Sequence, residues 1–181
     1  MKKVYSIIVL AILIAACKDS KTNKDSTSQQ NMSNNNNPLL LESSLPYGAP
    51  NFRVINNSHY KPALLQGIDE NREAIEKIAN STESATFDNT ILALEKSGSL
   101  LERVRNVFSA LTGAHTNDTL QAVQEEMAPK FSELNDAIYL NDKLFQRVKT
   151  LYNKKENLDL DPESIKLLEN YFEDFEIAGA N

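Results

Sequence analysis

From Ser58 onward, apolar residues recur at intervals of three and four, the spacing that gathers them on one face of an α-helix. Leu64, Ile68, Ile75 and Ile78 predict a first helix beginning near Ser58 or Lys61. Pro62 is then expected in its first turn, where a missing N–H is harmless. After the polar turn NSTESATFDN comes a second stripe: Phe87, Ile91, Leu94, Leu101, Val104, Phe108 and Leu111. It predicts one long helix with Gly113 as its C-cap. Gly98 falls on this stripe, and a mid-helix glycine costs about 1 kcal/mol relative to alanine, so close approach of another helix is expected there. A third helix, capped by Asn117 or Asp118, carries Leu120, Val123, Met127, Phe131, Leu134 and Ile138, with a kink expected at Pro129. A fourth carries Leu144 or Phe145, Val148 and Leu151 and runs out in the polar NKKEN. Asp161 and Pro162 form a cap and first-turn pair for a fifth, with Ile165, Leu168, Phe172 and Phe175 facing inward. No alternating strand pattern stands out. The expected fold class is all-α, with about five helices in antiparallel hairpins over residues 58–181.

Upstream the pattern changes twice. Residues 38–57 hold three prolines and one glycine in NPLLLESSLPYGAPNF, which forbid a continuous helix. The same stretch carries Leu39, Leu40, Leu41, Leu45, Tyr47 and Phe52, so it reads as an extended arm laid on a surface groove rather than as more linker. Residues 18–37, KDSKTNKDSTSQQNMSNNNN, have one apolar side chain, Met32, and no aromatic. Such a stretch cannot offset its ordering entropy and reads as a disordered tether, reaching on the order of 25 Å as a flexible coil. Residues 1–17, MKKVYSIIVLAILIAAC, show two lysines, a short apolar run and small residues before a cysteine. That is the layout of a secretory signal peptide, with a run too short for a stable membrane span. LIAAC resembles the lipobox of bacterial lipoproteins, which implies lipidation at Cys17. Two or more acyl chains there would give stable membrane attachment. The expected location is the bacterial cell envelope, lipid-anchored, on its periplasmic or surface side.

Composition narrows the function classes. The chain has 181 residues, 41% hydrophobic and 24% charged, and a formal net charge of -6. This fits one globular domain, and without a basic stripe no nucleic-acid partner is expected. Cys17 is the single cysteine, so an intrachain disulfide or a CxxC site is excluded.

Candidate chemistry is sparse. His59 and His115 are the two histidines, far apart in sequence, and there is no HExxH to place two zinc ligands on one helical face. HTND brings Asp118 near His115, but a helix-start turn accounts for those residue types. The carboxylates of QEEM and ENYFEDFE fit solvated faces of amphipathic helices better than a paired acid–base site. QRVKTLYNKKE is one basic helix end in an acidic protein. Phosphate-binding loops and nucleophile elbows are missing. The expectation is therefore no catalytic residue and no metal ligand in this chain.

Three runs nonetheless carry a resemblance: NPLLLESSLPYGAPNF; FDNTILALEKSGSLLERVRNVFSALTGAHTNDTLQAVQEEMAPKFSELNDAIYLNDKLFQRVKTLY; and YFEDFEIAGAN. In this order, from Asn37 to Asn181, they resemble the start of bacterial peptidyl-dipeptidases, members of the thimet-oligopeptidase-like zinc peptidases. The resemblance implies a mostly helical enzyme around a deep channel that removes dipeptides from oligopeptide C-termini, using a zinc-bound water activated by the glutamate of HExxH. It implies that these helices form part of the channel wall, and that the zinc site lies beyond the matched runs. The chain is thus expected to be an N-terminal fragment, inactive by itself. It is also expected to expose an apolar face and to be aggregation-prone or loosely packed when alone. The alternative is a stand-alone helical lipoprotein that binds peptides or a partner protein without catalysis.

Overall fold

The computed structural model describes residues 36–180. The leader, Cys17 and the tether up to residue 35 lie outside the described residues. The described chain folds as α1 (Asn57–Ala79), a π-helical turn (Phe87–Leu92) running into α2 (Ala93–Ser97), α3 (Ser99–Ala114), α4 (Asp118–Tyr139), α5 (Asp142–Tyr152) and α6 (Pro162–Ala178). Short 3-10 turns occupy Pro38–Leu40, Pro46–Gly48 and Lys155–Asn157. No strand occurs among the described residues, so the all-α expectation holds.

Local chemistry sets most of the boundaries. Asn56, Asn117, Asn141 and Asp161 each cap a helix by accepting a backbone N–H from the first turn. Gly179 closes α6 in the left-handed region at φ 103°, where glycine carries no Cβ penalty. Three glycine and proline assignments change. Gly113 lies inside α3, and His115 is the C-cap. Because α1 begins at Asn57, Pro62 sits past its first turn and removes a bond to the Ser58 carbonyl. The long second helix is interrupted at Gly98, where φ is -95° and ψ is 7°, and begins with a π turn rather than an α turn. At the other proline, α4 runs through Pro129 without an interruption.

The buried apolar residues form two clusters. One takes Leu64 and Ile68 of α1 with Leu101, Val104 and Phe108 of α3 and Leu120, Val123 and Met127 of α4. The other takes Ile75 and Ile78 of α1 with Ile91 and Leu94, Leu144, Phe145, Val148 and Leu151 of α5, and Leu168, Phe172 and Phe175 of α6. Ile138 of α4 packs against both. The second cluster is aromatic: Phe145 stacks on Phe172 and Phe175 at centroid distances of 5.8 and 5.6 Å, and Tyr152 lies 3.8 Å over Phe172. In the first, Tyr60 is fully buried against Phe108, and its hydroxyl has no hydrogen-bond partner among the described residues.

The close helix crossing expected at Gly98 occurs at Gly67 instead. A Cβ on Gly67 would stand 2.9 Å from the Leu101 Cα, too near for any real pair of atoms. At Gly98 a Cβ would meet the Asn71 side-chain amide, at 3.1 Å. That glycine makes room for a side chain, not for a helix backbone.

The loop between α1 and the π turn is held from α5. Arg147 donates to the backbone oxygens of Ser81 and Glu83 at 3.3 and 2.8 Å and to Asn89 Oδ1 at 2.9 Å. Lys143 donates to Asn80 Oδ1 at 2.7 Å. Asn89 also pairs reciprocally with Thr86 in a capping box.

The proline-rich arm is ordered and only partly buried. Asn37, the last residue of the polar stretch, is buried; it accepts from the Leu39 N–H and donates to the His59 carbonyl at 2.8 Å. Leu39 is buried in the first cluster, with Leu40 and Ile55 packed beside it. Leu41, Leu45, Tyr47 and Phe52 point outward.

The two helical glycines predict opposite signs. Gly67→Ala forces α1 from α3 and is expected to destabilise by about 1–3 kcal/mol. Gly113→Ala faces open space and is expected to stabilise by up to about 1 kcal/mol. Urea unfolding followed by helix circular dichroism measures both, and equal midpoints would mean that the crossing is not tight.

Candidate functional site

Two concavities stand out among the described residues. The larger, about 440 Å³, lies where α1, α2, α3, α4 and α6 meet. Its floor is apolar, from Ile75, Leu94, Leu101 and Ile138, and its rim brings Glu95, Glu102, Arg105, Asn106, Tyr139 and Tyr171 together. Residues distant in sequence converge because the Gly98 interruption lets Ser97 turn inward. Its hydroxyl reaches the Leu94 carbonyl at 2.7 Å and Asn71 Oδ1 at 3.0 Å. From the opposite wall Tyr171 donates to Glu95 Oε2 at 2.8 Å.

The tyrosines of this groove are held protonated. Burial raises Tyr171, and the hydrogen bond and negative charge of Glu95 raise it further. Tyr139 is raised by burial, then by Asp174 and Glu95. Such side chains can orient a polar ligand by hydrogen bonds. Each hydroxyl faces a carboxylate, Glu95 for Tyr171 and Asp174 for Tyr139, whose negative charge holds the phenol in its protonated form.

The second concavity, about 200 Å³, runs beneath the arm. Leu39, Leu41, Leu45, Val54, Val104 and Val107 line it, with Glu42 and Arg103 among its polar margins. Arg103 also donates to the Leu39 carbonyl at 3.3 Å, tying arm to α3.

The sequence candidates separate in space and in role. His59 is the N3 residue of the α1 capping box: its Nδ1 accepts the Asn56 N–H at 3.2 Å. His115 is the exposed C-cap of α3, and Asp118 opens α4. The acids of QEEM and of the final helix are mostly solvent-facing. Two of them form ion pairs: Glu126 with Lys61 at 2.7 Å, an exposed pair of small energetic weight, and Glu169 with Lys155 at 2.6 Å, a partly buried one. Among the described residues no group of three or more His, Cys, Asp or Glu side chains converges to hold a metal. The donors present do not fit a zinc site, and no reaction step can be derived through one here. Cys17 lies outside the described residues. Among those residues, no helix is long and apolar enough to cross a membrane.

Comparison with known proteins shows what these helices are similar to. The chain is 49% identical over 144 residues to a dipeptidyl carboxypeptidase of Escherichia coli and 46% identical to that of Salmonella typhimurium. Over these residues it is a homologue of the bacterial dipeptidyl carboxypeptidases. The match takes in 80% of this chain but only 21% of either relative's length, so the chain spans about a fifth of the curated relatives it matches. A more distant likeness, 28% over 143 residues, joins it to the oligopeptidase A of Haemophilus influenzae, again over 79% of this chain and 20% of the relative. No family model matches the chain. The dipeptidyl carboxypeptidase relatives agree with the resemblance carried by the arm and helix runs.

The tyrosines raised in the fold give it an alkaline signature. An unfolded tyrosine loses its proton near about pH 10, whereas Tyr171, Tyr139 and Tyr60 are all raised in the fold. Their contribution is therefore complete below that pH and is lost as pH climbs toward the folded values. Stability is expected to fall above about pH 10. In Tyr171→Phe that fall should be shallower, as read from urea midpoints between neutral and strongly alkaline buffer. An unchanged slope would show that Tyr171 titrates as if exposed.

Proposed function

We propose that this chain is the N-terminal, channel-wall part of a membrane-anchored zinc peptidyl-dipeptidase that releases C-terminal dipeptides from oligopeptides. The observation that carries the reading is near-half identity to dipeptidyl carboxypeptidases over a segment that amounts to a fifth of their length. The described residues supply helices, a packed double core and two open grooves. They supply no acid–base pair or metal-ligand set of their own. On this reading the chemistry belongs to polypeptide corresponding to the relatives' other four-fifths. Zinc belongs there as well, and no residue of this chain would hold it. The oligopeptide is the substrate of the complete enzyme. The wall's contribution is steric, restricting which peptides reach the reacting centre, and this chain alone is inactive.

The anchor is proposed from sequence: two lysines, an apolar run and small residues ending at Cys17. Lipidation there would hold the protein in the bacterial envelope, on its periplasmic or surface side, with the membrane as a second partner.

The decisive experiment is a chimera in which residues 37–180 of this chain replace the matching segment of the Escherichia coli dipeptidyl carboxypeptidase. Dipeptide release from an oligopeptide is expected to survive the exchange, while the 181-residue chain alone releases none. A soluble but inactive chimera would overturn the wall reading and leave stand-alone binding as the function to test. For the anchor, Cys17→Ser is expected to move the protein from the membrane fraction to the soluble one. Unchanged fractionation would remove the lipid anchor from the reading.

A further inference from the structure

Seven large hydrophobic side chains are exposed among the described residues, and five of them, Leu41, Leu45, Tyr47, Phe52 and Val54, lie in the arm. An apolar surface concentrated in this way marks an interaction site more often than a free surface. Three of them, Leu41, Leu45 and Val54, also line the apolar groove beneath the arm.

The arm is fixed before anything covers it. Ser43 donates to the Ala49 carbonyl at 2.6 Å and accepts the Leu45 N–H at 3.2 Å, closing the loop on itself. Two further turns, Gly48 N–H to the Leu45 carbonyl at 3.0 Å and Val54 N–H to the Asn51 carbonyl at 3.1 Å, hold the remainder. Within this frame Tyr47 adopts φ 59°, a left-handed conformation disfavoured for any residue with a Cβ, and its ring is fully exposed. A disfavoured backbone that delivers an aromatic ring to solvent contributes nothing to the isolated fold. It suits a preformed contact, in which little ordering cost remains at association.

We infer that the outer face of the arm, with the groove beneath it, is the docking surface for the polypeptide that makes up the relatives' remaining four-fifths. The inference rests on the proposed function. It names the partner because the relatives are about five times as long as the matched segment. Tyr47 and Phe52 are its anchors, since aromatic rings carry a large share of interface energy. A second copy of this chain is the rival occupant.

The test is cysteine labelling on the intact chain and on the active chimera. Tyr47→Cys and Phe52→Cys are introduced one at a time into Cys17→Ser, with Gln121→Cys, at an exposed position on α4, as reference. Maleimide reaction at each site is read by mass spectrometry, and sedimentation gives the oligomeric state. The arm sites are expected to react at least tenfold slower in the chimera than in the monomeric chain, relative to the reference. Equal rates in a chimera that still releases dipeptides would overturn the docking surface and leave the proposed function standing. Slow reaction in the free chain would overturn it too, assigning the face to a second copy if the chain sediments as a dimer and to its own first residues if it does not. An inactive chimera with protected arm sites would support docking while the catalytic reading fails. An inactive chimera with fully reactive arm sites would end both.

Discussion

Everything in this fold is referred to α1, the helix shared by both halves of the core. Its first half packs Leu64 and Ile68 against α3 and α4, and its second half packs Ile75 and Ile78 against α5 and α6. The contact that sets its depth is the crossing at Gly67, where the α3 backbone at Leu101 comes too close to admit any side chain. Interiors are packed like crystals, so a shift at that crossing is transmitted rather than absorbed. The Gly98 interruption, the inward Ser97 hydroxyl and the groove beside them all lie on the next turns of the same pair. The groove is thus a by-product of how tightly two helices meet.

Much of this could be read from spacing alone. The apolar stripes of α1, α3, α4 and α6 identify their buried faces, and the Asn117 and Asp161 caps lie where side-chain chemistry puts them. What escaped were positions whose meaning depends on a partner distant in sequence. Gly67 sits three residues after Leu64 and one before Ile68, on the face already read as buried, and that was its signal. Gly98 drew attention for the right composition and the wrong reason, because the atom it makes room for belongs to Asn71. Gly113 reads as a helix end only if the stripe is taken to end at Leu111, whereas backbone bonds carry α3 on to Ala114.

The grooves were not legible, for a related reason. Asn71, Glu95, Glu102, Tyr139 and Tyr171 form no motif, since each comes from a different turn or helix. His59 and His115 were legible as histidines, but one is consumed by a helix start and the other sits at a helix end. The apolar residues of the arm read in the sequence as chain laid on a groove. The structure shows it half done, with Leu39 inside and Tyr47 and Phe52 outside. Homology supplied what spacing could not: these helices match about a fifth of the length of the dipeptidyl carboxypeptidases they resemble.

Arg147 has a consequence of its own. One guanidinium gathers three oxygens from the segment between Ser81 and Asn89, and its Nε is buried without a partner among the described residues. The segment's serines, threonines and asparagines are those of a connection that ordinarily wanders, yet three charge-assisted bonds bind it to α5. It therefore opens to solvent as part of the same cooperative unit as that helix, not as an independent loop. Transient exposure, the state that proteases and aggregation exploit, is for this segment governed from a helix about sixty residues away in the chain.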